Sequence, residues 1–189
     1  MDRCFTIILM SIASLLGACS ASAERRLDGR VFSVPRANDI SDSDAPFFLP
    51  ALDPSDGFSF YLNPEASLPE RNLVGVASKT RMCARAAGKE ARINLTVCST
   101  RPISWRGRRL SKVSDGVFWT YDLPVEAGQK TAPSLASCFA MVRGSRPGLC
   151  MANLAYGDLV LTIHFRDNQV RLLQALYDQS TASLGKWER

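Results

Sequence analysis

LCMANLAYGDLVLTIHFRDNQVRLLQALYDQSTASL, residues 149–184, changes its apolar period part-way, and that change decides the fold class. In LVLTIHFR (159–166), Leu159, Leu161, Ile163 and Phe165 fall on one side of an extended chain, and Val160, Thr162 and His164 on the other, because side chains alternate along a strand. The first set is expected in the core and the second on a more polar face. LCMANLAY (149–156) reads as the partner strand, joined through Gly157-Asp158. After Arg166 the spacing becomes helical. Val170, Leu173 and Tyr177, widened by Leu172 and Leu176, form one apolar stripe. This predicts a helix over 167–184, with Asp167 or Asn168 placed to cap its start.

Working outward, SLASCFAMV (134–142) is expected to pair with 149–156 across a turn at Arg143 to Gly148. RRLSKVSDGVFWTYDLP (108–124) reads as a hairpin with Asp115-Gly116 at its turn. GFSFYLNP (57–64), NLVGVAS (72–78) and ARINLTVC (91–98) alternate as half-buried strands do, and RVFSVPR (30–36) is a short strand stopped by Pro35. The fold class that follows is α+β, a mainly antiparallel β-sheet with a C-terminal helix lying on it. An Asp-Gly, aromatic strand, Pro and two-cysteine order occurs twice, around residues 56–98 and 115–150. It suggests two related half-sheets, although common turn residues produce the same echo.

Four cysteines beyond the N-terminal segment, Cys83, Cys98, Cys138 and Cys150, form two local couples, with no C-x-x-C and a single histidine, His164. No metal site or cofactor is expected from such a set. Two disulfides are the economical reading in an oxidising compartment. Three connectivities exist, and Cys83 to Cys98 with Cys138 to Cys150 is preferred because each would join neighbouring strands. Loops of that size would give about 3 kcal/mol each.

The N-terminus carries a charge, an apolar run from Phe5 to Leu16 and then small residues, the order of a secretory leader. The run is too short to span a bilayer, which takes about twenty helical residues. Two cuts compete. Ala21-Ser22-Ala23 offers a general cut after Ala23, whereas Leu16-Gly17-Ala18-Cys19 resembles a lipobox, which would leave Cys19 lipidated. Residues 1–23 are thus read as leader, 24–56 as an N-terminal strand with an acidic, turn-rich segment, and 57–189 as the main body of the same domain. The expected location is the periplasm, with an outer-membrane anchor if Cys19 is acylated, or otherwise secretion.

The chain carries a formal charge of +5, unevenly spread. Residues 37–70 hold seven acids and no Lys or Arg, whereas residues 71–112 hold eleven bases and one acid. Such blocks either neutralise each other across the fold or face a partner. Asp39, Asp42 and Asp44 lack the glycine and terminal glutamate of a calcium loop, so they read as solvated acids.

No G-x-S-x-G, H-E-x-x-H or phosphate-loop spacing occurs, and no catalytic residue is assigned. His164 could act as a general base only if a serine and an acid met it. The sharpest candidate surface is RPISWRGRRLSK (101–112), in which Trp105 stands among Arg106, Arg108 and Arg109, residue types that dominate binding hot spots. The competing reading puts Trp105 in the core and the arginines on a solvated hairpin edge. Nucleic acid is not an expected partner in the envelope.

With FSVPRAN (32–38), FSFYLNP (58–64) and the paired cysteines, the chain resembles small exported bacterial proteins, and in layout periplasmic immunity proteins of type VI and contact-dependent secretion systems. The resemblance implies a non-catalytic envelope protein that binds an exported effector. Two alternatives stand beside it: a structural or ligand-binding lipoprotein contacting peptidoglycan or lipid, and a small envelope hydrolase.

Overall fold

The computed structural model describes residues 21–40, 57–87, 95–99, 103–128, 130–140 and 147–189. Its centre is the hairpin of β8 (Leu149–Tyr156) and β9 (Leu159–Arg166), whose register sets Cys150 against Phe165, Ala152 against Ile163 and Leu154 against Leu161. Gly157, at φ +61°, takes the first position of its two-residue turn, where only glycine adopts that backbone without strain.

Around this hairpin runs a seven-stranded antiparallel sheet in the order β3-β4-β9-β8-β7-β6-β5. The other strands are β3 (Gly57–Tyr61), β4 (Leu73–Ser78), β5 (Ser111–Asp115), β6 (Phe118–Asp122) and β7 (Ser134–Phe139). Phe58, Phe60, Val74 and Val76 line up with Leu161, Ile163 and Leu154 on one face, all buried. That face is covered by a separate hairpin, β1 (Ser22–Leu27) with β2 (Arg30–Pro35), and by the C-terminal helix. Phe32 packs on Phe58 at 5.3 Å between ring centres, and Phe60 meets Trp187 edge-on at 4.9 Å.

Several expectations need correction. The chain after β4 turns into a helix, α1 (Lys79–Ala87), which the strand-by-strand reading missed. Its residues, KTRMCARAA, are good helix formers, and the Ser78 hydroxyl accepts a hydrogen bond from the Arg81 N–H at 3.3 Å, as an N-cap does. The described end of ARINLTVC, Leu95–Cys98, is a 3-10 turn rather than a strand. The face holding Val160 and His164 is also closed, Val160 being 0% and His164 8% exposed; α1 packs on β4 and β9 and the 3-10 turn on β8. A strand covered on both sides shows no polar face, whatever its alternation.

The expected disulfide pairing holds, Cys83 with Cys98 and Cys138 with Cys150. Only the second joins neighbouring strands, at directly opposed positions of β7 and β8 with 4.0 Å between Cα atoms. The first ties α1 to the 3-10 turn, so the two halves suggested by the sequence echo are not equivalent.

The tail begins as a 3-10 turn, Asp167–Leu172, and continues as α2 (Leu173–Trp187). Neither Asp167 nor Asn168 caps it; the Arg166 N–H donates instead to Gln169 Oε1 at 2.8 Å. Leu173, Leu176, Tyr177 and Leu184 are buried as a stripe, but Leu172, in the 3-10 turn, is 53% exposed. The last residues close on β2: Arg30 donates to Glu188 at 2.7 Å and to Asp158 at 2.9 Å, and the Arg189 N–H to the Val31 carbonyl at 3.0 Å.

Candidate functional site

Strands β5 and β6 form the end of the sheet, and the residues singled out by the sequence approach it through the segment before β5. Trp105 is half-buried and meets Tyr177 of α2 edge-on, with ring centres 5.5 Å apart. Tyr177 is held from the other side by its own hydroxyl, which donates to the Ala155 carbonyl at 2.8 Å. Arg106 lies over the same ring at 5.1 Å and pairs with Asp178 at 3.0 Å. Arg108 pairs with Glu126. Arg109 is exposed and forms no ion pair with a described residue. The structure therefore brings Trp105 and Arg106 together over α2, while Arg108 and Arg109 flank the start of β5.

One group that the sequence reading took for a cap is the junction of this end. Asp167 accepts hydrogen bonds from the Trp119 indole N–H at 2.9 Å and the Tyr121 hydroxyl at 2.5 Å through one oxygen, and from Lys112 at 3.1 Å through the other. Lys112 also lies 4.4 Å from the centre of the Trp119 ring, a cation–π distance. Burial draws the Asp167 carboxyl upward, but the bonds from Tyr121, Trp119 and Lys112 outweigh it and hold the group below its ordinary value. The Tyr121 hydroxyl is pushed up to about 12, by burial first and then by its bond to that carboxylate. One signal was available in the sequence: Trp119 and Tyr121 share a face of their strand, and a buried indole or phenol needs a polar partner.

Asp167 lies close to the sulfurs of Cys138 and Cys150. Those sulfurs are bonded to each other, so they do not offer thiolate ligands to an ion. Asp39 is likewise engaged, taking both ends of the Arg25 guanidinium at 2.9 and 2.8 Å; Asp42 and Asp44 lie outside the described residues. His164 is driven down to about 4 by burial, and its ring makes no hydrogen bond to a serine or carboxylate among the described residues. The constellation a His164-based hydrolase needs is therefore not assembled there.

The surface itself is apolar at this end. Phe118 is 63%, Val113 53%, Val117 46% and Met151 39% exposed. The register carries Phe118 to Phe139 and on to Leu149 in one row, and Val113 to Thr120, Ser137 and Met151 in the next, so the four share one end of one sheet face or the turn beside it. Gly116, at φ +67°, makes the β5–β6 turn tight. Among the described residues no helix is long and apolar enough to cross a membrane.

No family model matches the chain, and no curated protein matches it. Among solved structures it is similar to Smlt3025, an immunity protein of the Stenotrophomonas maltophilia type IV secretion system, with a TM-score of 0.47 and 10% identity over 90% of this chain and 94% of that one. The likeness is weak. At that level it transfers no residue roles.

Proposed function

We propose that the chain is a non-catalytic binding protein of the cell envelope that neutralises an exported effector acting in the periplasm. One contrast supports this reading: the groups with chemical potential, Asp167, Tyr121 and His164, are turned inward, whereas large apolar side chains face solvent at one end of a cross-linked sheet. Exposed apolar clusters of that kind mark interaction sites, and a rigid scaffold lowers the cost of binding with them. In this reading the contact also takes in Trp105 and Arg106, which lie against α2, and Arg108 and Arg109, which lead into β5.

The test is co-production of the full chain with exported toxic effectors of the same organism, directed to the periplasm of a sensitive host. Restored growth with one effector, and no change in that effector's yield, is the expected result. Replacing Trp105, Arg106, Arg108 and Arg109 by alanine together should weaken its binding at least tenfold while leaving the folded protein intact. Failure to protect against any effector would overturn the reading.

Tethering at Cys19 is part of the proposal, and the first strand supports it. The Ala21 carbonyl accepts the Arg36 N–H at 3.0 Å, and β1 pairs Ser22 with Pro35 and Ala23 with Val34. A cut after Ala23 would remove these pairings, whereas a cut before Cys19 keeps them. Metabolic labelling with a fatty acid should mark the wild type and not Cys19→Ala.

A further inference from the structure

We propose that the end of the sheet formed by the 62–72 loop and the 3-10 turn Asp167–Leu172 lies on the lipid bilayer to which Cys19 is anchored, with Leu68 and Leu172 inserted at the boundary of headgroups and acyl chains. The inference rests on the tether at Cys19 proposed above, and adds to it a lipid-facing surface and an orientation.

Chain length commits the occupant. Cys19 stands two residues before Ala21, so even a fully extended chain separates them by at most about 7 Å. That reach is comparable to the headgroup layer, about 5–7 Å on each side of the hydrocarbon core. From Ala21 onward the chain is fastened to the domain: the Ala21 carbonyl accepts the Arg36 N–H at 3.0 Å, and Ser22 pairs with Pro35. The segment after β2 then meets β3, where the Asn38 carbonyl accepts the Tyr61 N–H at 2.8 Å and Asn38 Nδ2 donates to the Tyr61 carbonyl at 2.7 Å. An acylated Cys19 thus holds the Tyr61 end of β3 against the bilayer.

Two exposed leucines occupy that same end. Tyr61, the last residue of β3, lies beside Leu73, the first of β4, and the register of β4 with β9 brings the close of β9 to the same level. The loop that joins β3 to β4 carries Leu68, 71% exposed, and the turn that follows β9 carries Leu172, 53% exposed. The Asn72 side chain ties loop to turn by donating to Gln169 Oε1 at 3.3 Å. Neither leucine belongs to the core cluster. Arg36, Arg71 and Arg171 border this end together with Glu65 and Glu70, so charge is nearly balanced and the contact should not need anionic lipid. Phe118 starts β6, four strands away from β4 in the sheet order, about 19 Å at the usual strand spacing, and is left to the effector.

The experiment uses the full chain, acylated in its producing host and reconstituted in phosphatidylcholine vesicles with or without acyl chains brominated near the headgroup. Leu68→Cys, Leu172→Cys and Val125→Cys each receive a polarity-sensitive fluorophore; Val125, 56% exposed, follows β6 and so lies at the opposite end of the sheet. Labels at 68 and 172 should be quenched by brominated lipid about threefold more than the label at 125, as insertion at the interface requires. A flexible glycine-serine insert of about twenty residues between Ser20 and Ala21 lengthens the tether, and should reduce that difference without releasing the protein from the vesicles. Equal quenching at all three positions would overturn the lipid-facing surface, while fatty-acid labelling of the wild type would leave the tether standing. A wild type that takes up no fatty acid would remove tether and surface together, with growth rescue still deciding the inhibitory reading. Stronger quenching of a label at Phe118→Cys than at either leucine would seat the β5–β6 hairpin in the membrane and overturn the assignment. Emission shifted to the blue without quenching by brominated lipid would place the leucines against a second copy and overturn it as well.

Discussion

His164 points to the side of β9 that alternation assigns it, yet it is 8% exposed and the imidazole is buried as a neutral ring. Its pKa falls from the ordinary 6.5 to about 4 because burial opposes the charged form. Between those two values the unfolded chain binds a proton that the folded chain does not, so stability falls as pH drops through this window. About 3 kcal/mol is at stake, by the usual conversion of a shift of this size. Urea melts from pH 7 to pH 4 should show this loss, and His164→Gln should flatten it. Asp167 works lower on the scale. Its folded pKa is held below the ordinary 3.8, so its contribution is present above that value and disappears only as pH falls through the folded pKa. Asp167→Ala strands three donors and should cost about 2–3 kcal/mol, with a change in the near-ultraviolet signal of Trp119 and Tyr121. The sequence assigned both residues to the right segment. It could not say that Asp167 turns back to the sheet, because its donors come from strands more than forty positions earlier.

At the scale of elements, the hairpins were legible and the short helix was not. Paired alternating runs joined by glycine-containing turns identify β5–β6 and β8–β9, since the tight turn and the period of two point the same way. The Asp28-Gly29 turn, with φ of +50° and +79°, carries the same signal for β1–β2, but the run Glu24-Arg25-Arg26 before it shows no apolar alternation. α1 escaped because its nine residues are a short window with few large apolar side chains between neighbouring alternating runs. Gly148 shows how closely these elements meet: a Cβ there would lie 2.1 Å from the Trp119 ring. Gly148→Ala should therefore displace the indole and cost about 1–3 kcal/mol, seen as a lowered melting midpoint and altered Trp119 fluorescence. Both disulfides stabilise local loops, and replacing the Cys138 and Cys150 pair by alanine should lower stability by about 3 kcal/mol in the chain-entropy account.

Across the whole molecule, the two ends of the chain close one another. Arg30 lies between the Phe32 and Tyr156 rings and pairs with Glu188 and Asp158, while Phe32 forms a bridge with Glu188. A chain begun at residue 24 loses the Ser22 and Ala23 pairings of β1 and should melt several degrees below one begun at residue 21, by calorimetry. The acidic and basic blocks are partly resolved in the same way: Arg25 neutralises Asp39, and Arg106 and Arg108 find Asp178 and Glu126. By itself the sequence determined the α+β class, the antiparallel pairing of neighbouring strands and the C-terminal helix, which depend on local periodicity, and it favoured the observed disulfide partners, cysteines close in the chain, over two other connectivities. Only the tertiary structure decided which faces are covered, which arginines are already paired and where apolar side chains remain in water. Those outcomes depend on contacts between segments far apart in the chain, and alternation or charge along one segment carries no record of what packs against it.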